Sequence, residues 1–242
     1  MTSNEDRPQT DVARDAAQKA RKSQEVERLW RHLARLCSGK RCLVLGSAPD
    51  PKVPPPGRFD VLICINGSPW IAQKWGLKTP DLTVVAGYST LTNKDVRVAT
   101  QGIWSGLTTR ELLFIEAGAT AQDGRQLLDA CGFRYGAFRS MTIIERAAII
   151  GQLCGVELGL GPRDERISNG MFATVLSIWA DASEVILTGF SLSGGHSYMT
   201  DATPREHLEG DIAFLKLVHN LGCRVVTTVD EFHRDYGLPL AR

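Results

Sequence analysis

The stretch "DVLICING" at residues 60–67 decides the fold. From Val61 to Ile65 it contains no polar residue. A strand with one face in water alternates apolar and polar residues at period two, whereas a strand covered on both faces does not. Such strands belong to parallel sheets with helices packed on either side. The run ends in Asn66-Gly67-Ser68, three turn-forming residues set directly behind it.

The same pattern recurs along the chain. "RCLVLGSA" at 41–48 is a buried strand running into small residues, followed by the rigid, Pro-rich "PDPKVPPPG" at 49–57. "DLTVVAGY" at 81–88, "ELLFIEAG" at 111–118, "EVILTGF" at 184–190 and "CRVVTTV" at 223–229 supply further strands. Helical periodicity fits 69–76, 121–132, 143–155, a helix opening at Ser168, and 204–221. Strands spaced by helices predict an α/β fold: a mostly parallel, Rossmann-like sheet with helices on both faces.

Composition narrows the function. A chain of 242 residues with 43% apolar residues has a globular core, and it suits one domain better than two. The formal net charge of +1 lacks the basic excess of a general nucleic-acid binder, so no nucleic-acid partner is expected. No run reaches the roughly 18 apolar residues of a membrane span, and "MTSNEDRPQTDVARDAAQ" has no secretion-signal core. A cytoplasmic location is expected. The six cysteines form no C-x-x-C pair and sit mainly in apolar runs, which reads as buried thiols.

Residues 1–10 read as a disordered tail and 11–38 as an amphipathic helix. Val26, Leu29, Trp30, Leu33 and Cys37 form one stripe, with Arg28, Arg31 and Arg35 off it. The stripe fits packing on the domain or on a second copy in a homo-oligomer. The basic alternative is peripheral contact with an anionic membrane at its inner face. Residues 39–242 then form a single α/β domain.

In an open parallel sheet, ligands bind beyond the carboxyl ends of the strands. The first strand ends there in Gly46-Ser47-Ala48-Pro49, which is neither a G-x-G-x-x-G fingerprint nor a P-loop. Asn66 ends the second, either capping the next helix or bonding to a base, ribose or phosphate. "RISNG" at 166–170 opens an apolar helix. Ser168 caps it, leaving the N–H groups of Asn169, Gly170 and Met171 and the helix dipole to face an anion beside Arg166. Gly170 is a poor helix former and implies close approach by something bulky. "SLSGGHSYMTD" adds His196 and Tyr198 as phosphate donors. His207 enters the next helix and suits a general base, oriented by a carboxylate such as Glu206, Glu209 or Asp211.

This motif order resembles the sialyltransferases, nearest to the bacterial type of glycosyltransferase family 42, over roughly residues 41–230. The resemblance implies a GT-A-variant fold that binds a CMP-activated sugar. On it, Gly46, Ser47, Ala48 and Asn66 contact the CMP donor, and Arg166, Ser168, Asn169 and Gly170 form the second donor element. Tyr198, with His196, holds the donor phosphate, and His207 is the catalytic base. Ser47 stands where the family has Asn, the third strand ends Ala86-Gly87-Tyr88 in place of another Asn, and Ser193 lies near the position of a second Tyr.

The implied activity is a metal-independent, inverting glycosyltransferase. It moves a keto-acid sugar of sialic acid or Kdo type from CMP to a glycan or glycolipid, with no cofactor and no metal ligand. The absence of a D-x-D pair fits. Residues 88–110, with Trp104, read as an acceptor lid or a packed connector. Two alternatives remain open. One is a Mg-dependent pyrophosphokinase-like nucleotide transferase, for which Asp50, Asp60 and Asp201 are the nearest acidic ligands. The other is a non-catalytic nucleotide- or glycan-binding module on the same fold.

Overall fold

The computed structural model describes residues 24–49, 52–55, 57–87, 101–155, 157–162, 164–193, 195 and 206–241. Helix α1 (24–37) precedes β1 (Arg41–Leu45), β2 (Val61–Ile65), α2 (Ser68–Lys74) and β3 (Leu82–Ala86). A helical turn α3 (101–104), β4 (Thr108–Glu116), α4 (Ala121–Ala130), β5 (Arg134–Thr142), α5 (Ile143–Cys154) and the short α6 (Glu157–Leu160) follow. The chain ends with α7 (Asn169–Trp179), β6 (Glu184–Thr188), α8 (Leu208–Leu217), β7 (Arg224–Thr227) and α9 (Asp230–Tyr236).

The strands form one seven-stranded sheet in the order β5-β4-β3-β2-β1-β6-β7, with every pairing parallel. The chain lays β2 to β5 outward on one side of β1, then returns to place β6 and β7 on the other. The strand order therefore reverses between β1 and β6, the point beyond whose carboxyl ends open α/β sheets hold their ligands.

Both faces are covered, as the unbroken apolar runs require. On one face Cys42 and Val44 of β1, Ile63, Val84 and Leu187 pack with Phe172, Val175 and Leu176 of α7. On the other, Leu43, Leu45, Leu62, Cys64 and Ile186 meet Ile71 and Ala72 of α2. Further along that face Val85, Leu112 and Phe114 enclose Trp104, Leu128 and Phe133. Trp104 is fully buried, edge-on to Phe133, and donates its ring N–H to the carbonyl of Asn66 at 3.3 Å. For this residue the packed-connector reading holds; 88–100 lie outside the described residues.

The stripe on α1 is used internally. Leu33 and Cys37 are buried in the core, Val26, Leu29 and Leu36 pack against it, and the Trp30 ring N–H donates to the carbonyl of Trp179 at 2.9 Å. Arg28, Arg31 and Arg35 are exposed. Packing on the domain accounts for the stripe, and the apolar face that a membrane contact would need is turned inward. No helix among the described residues is long and apolar enough to cross a membrane. All six cysteines are free, with Cys37, Cys42 and Cys64 buried.

Besides the short α3 and α6, two elements go beyond the sequence reading. β5, "RYGAFRSMT", is an edge strand whose residues are mostly half-buried or exposed, so it carries no apolar run. α9 is only seven residues long and buries Phe232 alone.

Candidate active site at the strand-order reversal

At the reversal the backbones of β1 and β6 touch just past the strand ends. The Gly46 N–H donates to the Thr188 carbonyl and the Ala48 N–H to that of Gly189, each at 2.8 Å. A Cβ on Gly46 would lie 2.2 Å from the Gly189 carbonyl oxygen, so only glycine fits. The amides of Gly46 and Ala48 are thereby spent on the sheet. Of the predicted turn, only Ser47, 9% exposed, has a polar side chain.

Asn66 does not cap α2, whose N-cap is Gly67 without a side-chain bond. It adopts a left-handed backbone conformation with φ of 48°, and its Oδ1 accepts from the Ala86 N–H at 3.2 Å. The side chain thus ties the carboxyl ends of β2 and β3 together. Ser68 is fully buried and performs the same task one strand over, accepting from Ile65 N–H and donating to the Leu45 carbonyl, both at 2.7 Å.

The mouth of α7 is built as expected in outline and differently in detail. Ser168 is the N-cap, and its Oγ accepts from the Met171 N–H at 3.3 Å. The Ser168 N–H donates to Asp211 Oδ1 at 2.7 Å. Of the four N–H groups that a helix leaves without intrahelical partners, two are therefore satisfied internally. Those of Asn169 and Gly170 have no partner among the described residues; Met171 does not join them. Gly170 also has a different cause. A Cβ there would lie 2.2 Å from the ring of Phe190, so the bulky group is a side chain of this protein.

Behind the mouth lies a buried cation. Arg146 of α5 is 6% exposed, and its Nη2 donates to the Ile167 carbonyl at 2.5 Å and to that of Ser168 at 3.5 Å. Its guanidinium stands 5.0 Å from the Phe172 ring centroid. Burial lowers its pKa to about 10; the neighbouring Arg166 pushes the same way and Asp211 opposes them. The Nε atoms of both Arg146 and Arg166 are buried and have no hydrogen-bond partner among the described residues. Asp211 is completely buried. Among the described residues the Arg146 guanidinium thus feels one neighbouring cation, Arg166, and one anion, Asp211, and the helix N-terminus adds roughly half a positive charge.

His207 precedes α8 in a left-handed conformation with φ of 81°. Strained backbone of this kind persists only where the surroundings hold it. They do so here: its Nδ1 lies 3.0 Å from the Arg166 carbonyl, and the Gly210 N–H donates to the Asp164 carbonyl at 2.9 Å. A carbonyl can only accept, so Nδ1 carries the proton and Nε2 is the basic nitrogen. Asp211, one of the carboxylates considered as the orienter of His207, binds the Ser168 N–H; the Nδ1 partner is a backbone carbonyl. A Cβ on Gly210 would lie 2.4 Å from the Arg166 carbonyl carbon, so α8 can start this close only with glycine there.

His196 and Tyr198 lie outside the described residues, as do Asp50 and Asp201. Asp60 sits at the amino end of β2, bound to Arg41 by its backbone N–H and guanidinium, and so lies at the wrong end of the sheet for a ligand beyond the carboxyl ends. Among the described residues no three His, Cys, Asp or Glu side chains converge on a metal position.

No known protein family matches the sequence, and no curated protein matches it. Solved structures do match. The monofunctional alpha-2,3-sialyltransferase Cst-I from Campylobacter jejuni aligns with a TM-score of 0.54 at 13% identity, over 84% of this chain and 81% of that one. The sialyltransferase CstII from the same organism, in complex with the substrate analogue cytidine-5'-monophosphate, gives 0.52 at 13% over 85% and 86%. CstII with CMP-3FNeuAc gives 0.53 at 11% over 84% and 86%. The fold is that of the sialyltransferases.

Within this sialyltransferase fold, the Arg166–Gly170 segment at the α7 entrance meets the α8 entrance through the Arg166 carbonyl on His207 and the Ser168 N–H on Asp211. Gly46, Ser47, Ala48 and Asn66 lie directly beyond the carboxyl ends of β1 and β2. Sequence reasoning missed Arg146. Arg146 sits in "TIIERAAII", where one cation in an apolar helix reads as solvated. The available signal was its position: α5 buries Arg146 together with Ala147, Ile149 and Ile150.

Proposed function

We propose that this chain is a glycosyltransferase that moves a keto-acid sugar from its CMP ester to a hydroxyl of a glycan or glycolipid, with inversion and without a metal. The observation that carries this reading is the joint construction of an anion-ready helix mouth and a histidine base. Arg166 leads into the open N–H groups of Asn169 and Gly170, and its carbonyl fixes His207. The CstII structures with CMP, with CMP-3FNeuAc, and with a trisaccharide acceptor and CMP support the donor and acceptor classes.

In this reading the donor phosphate meets the Asn169 and Gly170 N–H groups and Arg166, with Tyr198 and His196 as further donors and Ser47 and Asn66 beside the nucleoside. As the bond from the anomeric carbon to the phosphate oxygen breaks, these fixed dipoles stabilise the charge that collects on CMP. His207 Nε2 takes the proton of the acceptor hydroxyl, whose oxygen bonds to the anomeric carbon from the opposite face. Base catalysis of this type contributes about 10²–10⁴-fold.

The test is CMP release from CMP-activated sialic acid and Kdo over a panel of glycan acceptors with excess chelator present. The reading expects release with one donor and a loss of about 10²–10⁴-fold in kcat for His207→Ala. No release from any donor, with turnover of ATP only in the presence of Mg²⁺, would transfer the assignment to a pyrophosphokinase-like enzyme.

A further inference from the structure

The Ile167–Ser168 peptide unit is held from both sides by buried charge. Its carbonyl accepts from Arg146 of α5, and its N–H donates to Asp211 of α8. Both side chains are at least nine-tenths buried. A peptide group gripped at oxygen by a cation and at nitrogen by an anion is polarised along its own dipole, and charge-assisted bonds are about twice as strong as neutral ones. The next two peptide units carry the N–H groups of Asn169 and Gly170, so fixing this one fixes their direction.

The two charges act differently on whatever binds there. Asp211 satisfies one N–H of α7, but its negative charge opposes an incoming anion. Arg146 supplies the compensating charge, and its Nε, like that of Arg166, is buried without a partner among the described residues. A buried cation beside a second cation is costly unless an anion joins them. The helix mouth is thus built at some cost to the ligand-free fold and is improved by an anion.

The geometry points to Arg146 and Asp211 as an opposed pair of positioning residues: Arg146 aims the α7 N–H groups and supplies charge for the donor phosphate, while Asp211 ties that mouth to the helix that carries His207. The phosphate role rests on the donor-site reading above; the clamp on the peptide does not. Because Asp211 lies four residues after His207, with its N–H on the His207 carbonyl at 3.0 Å, it also sets where the base stands.

The experiment uses the full chain as wild type, Arg146→Met and Asp211→Asn, with CMP as the probe. Asparagine keeps the volume and an oxygen for the Ser168 N–H but removes the charge. The pair role predicts opposite signs for CMP affinity: roughly tenfold weaker in Arg146→Met, unchanged or tighter in Asp211→Asn. Asp211→Asn should instead lower kcat, with little rise in KM for the donor. Weakening of CMP by the same factor in both variants, in step with lost thermal stability, would reduce the pair to fold support and overturn the proposal. Hydrogen exchange on ligand-free protein tests the clamp separately. Arg146→Met should speed exchange at Asn169 and Gly170 while leaving β1 and β6 amides unchanged; unaltered exchange at the mouth would overturn the clamp even if CMP binds. Absence of CMP binding in the wild type, with faster exchange in Arg146→Met, would sink the donor reading alone.

Discussion

The ring of Phe190 occupies the space that a side chain on Gly170 would need: its Cε1 stands 2.2 Å from the Cβ position. The ring fills the corner between β6 and the first turn of α7, with Phe232 stacked behind it at 6.3 Å. Gly170→Ala should therefore destabilise the protein by about 1–3 kcal/mol through overpacking. The same change should cost less on a Phe190→Ala background. Denaturant unfolding of the four proteins reads this cycle. Equal costs in both backgrounds would show that the glycine makes room for something else.

Gly210 faces backbone, which cannot rotate aside. A Cβ there would meet the carbonyl carbon and oxygen of Arg166 and the oxygen of Glu165 at 2.4–2.5 Å. Gly210→Ala should push the start of α8 away and break the His207–Arg166 bond. A displacement near 1 Å costs roughly 10²-fold in rate, so kcat should fall by about that much while CMP affinity changes little. Steady-state kinetics together with a CMP titration checks the split.

α5 begins with a complete capping box. Thr142 Oγ1 accepts from the Glu145 N–H at 3.2 Å, and Glu145 accepts from the Thr142 N–H at 2.6 Å. Thr142→Ala should cost about 1 kcal/mol of stability, measured by denaturant midpoint. Because this helix carries Arg146 into the mouth of α7, the variant should also weaken CMP slightly at temperatures near its melting point.

The Arg41 guanidinium and backbone N–H hold the Asp60 carboxyl well below the usual carboxylate range. A depressed folded-state pKa contributes stability above the unfolded value near 3.9, and that contribution is lost as pH falls below it. Both side chains are about two-fifths exposed, so solvent screening keeps the gain small. Asp60→Asn should lower the melting temperature slightly at pH 7, with the difference shrinking as the pH falls below about 4. Melting curves across that range check it.

The strands that sit in the middle of the sheet were legible because burial on both faces leaves an unbroken apolar run, as in Val61–Ile65. β5 was not, since an edge strand mixes polar and apolar residues with no clean period. At the site, Ser168 was legible as a cap because capping is local chemistry. The hydrogen bonds of Asn66 and Asp211 were not, because each spans a distance in sequence that only the fold closes: 20 residues to Ala86 and 43 to Ser168. Gly170 drew attention for the right reason, a close approach, but sequence could not name Phe190 as the group approaching.

The most direct test of the central claim is calorimetric titration of CMP into metal-free protein, wild type and Arg166→Ala. The account predicts one-to-one binding in the micromolar range, about −8 kcal/mol, weakened in the variant and indifferent to added Mg²⁺. No heat of binding from CMP in the wild type, under conditions where the protein is folded, would contradict it and leave the "RISNG" helix mouth as a structural cap.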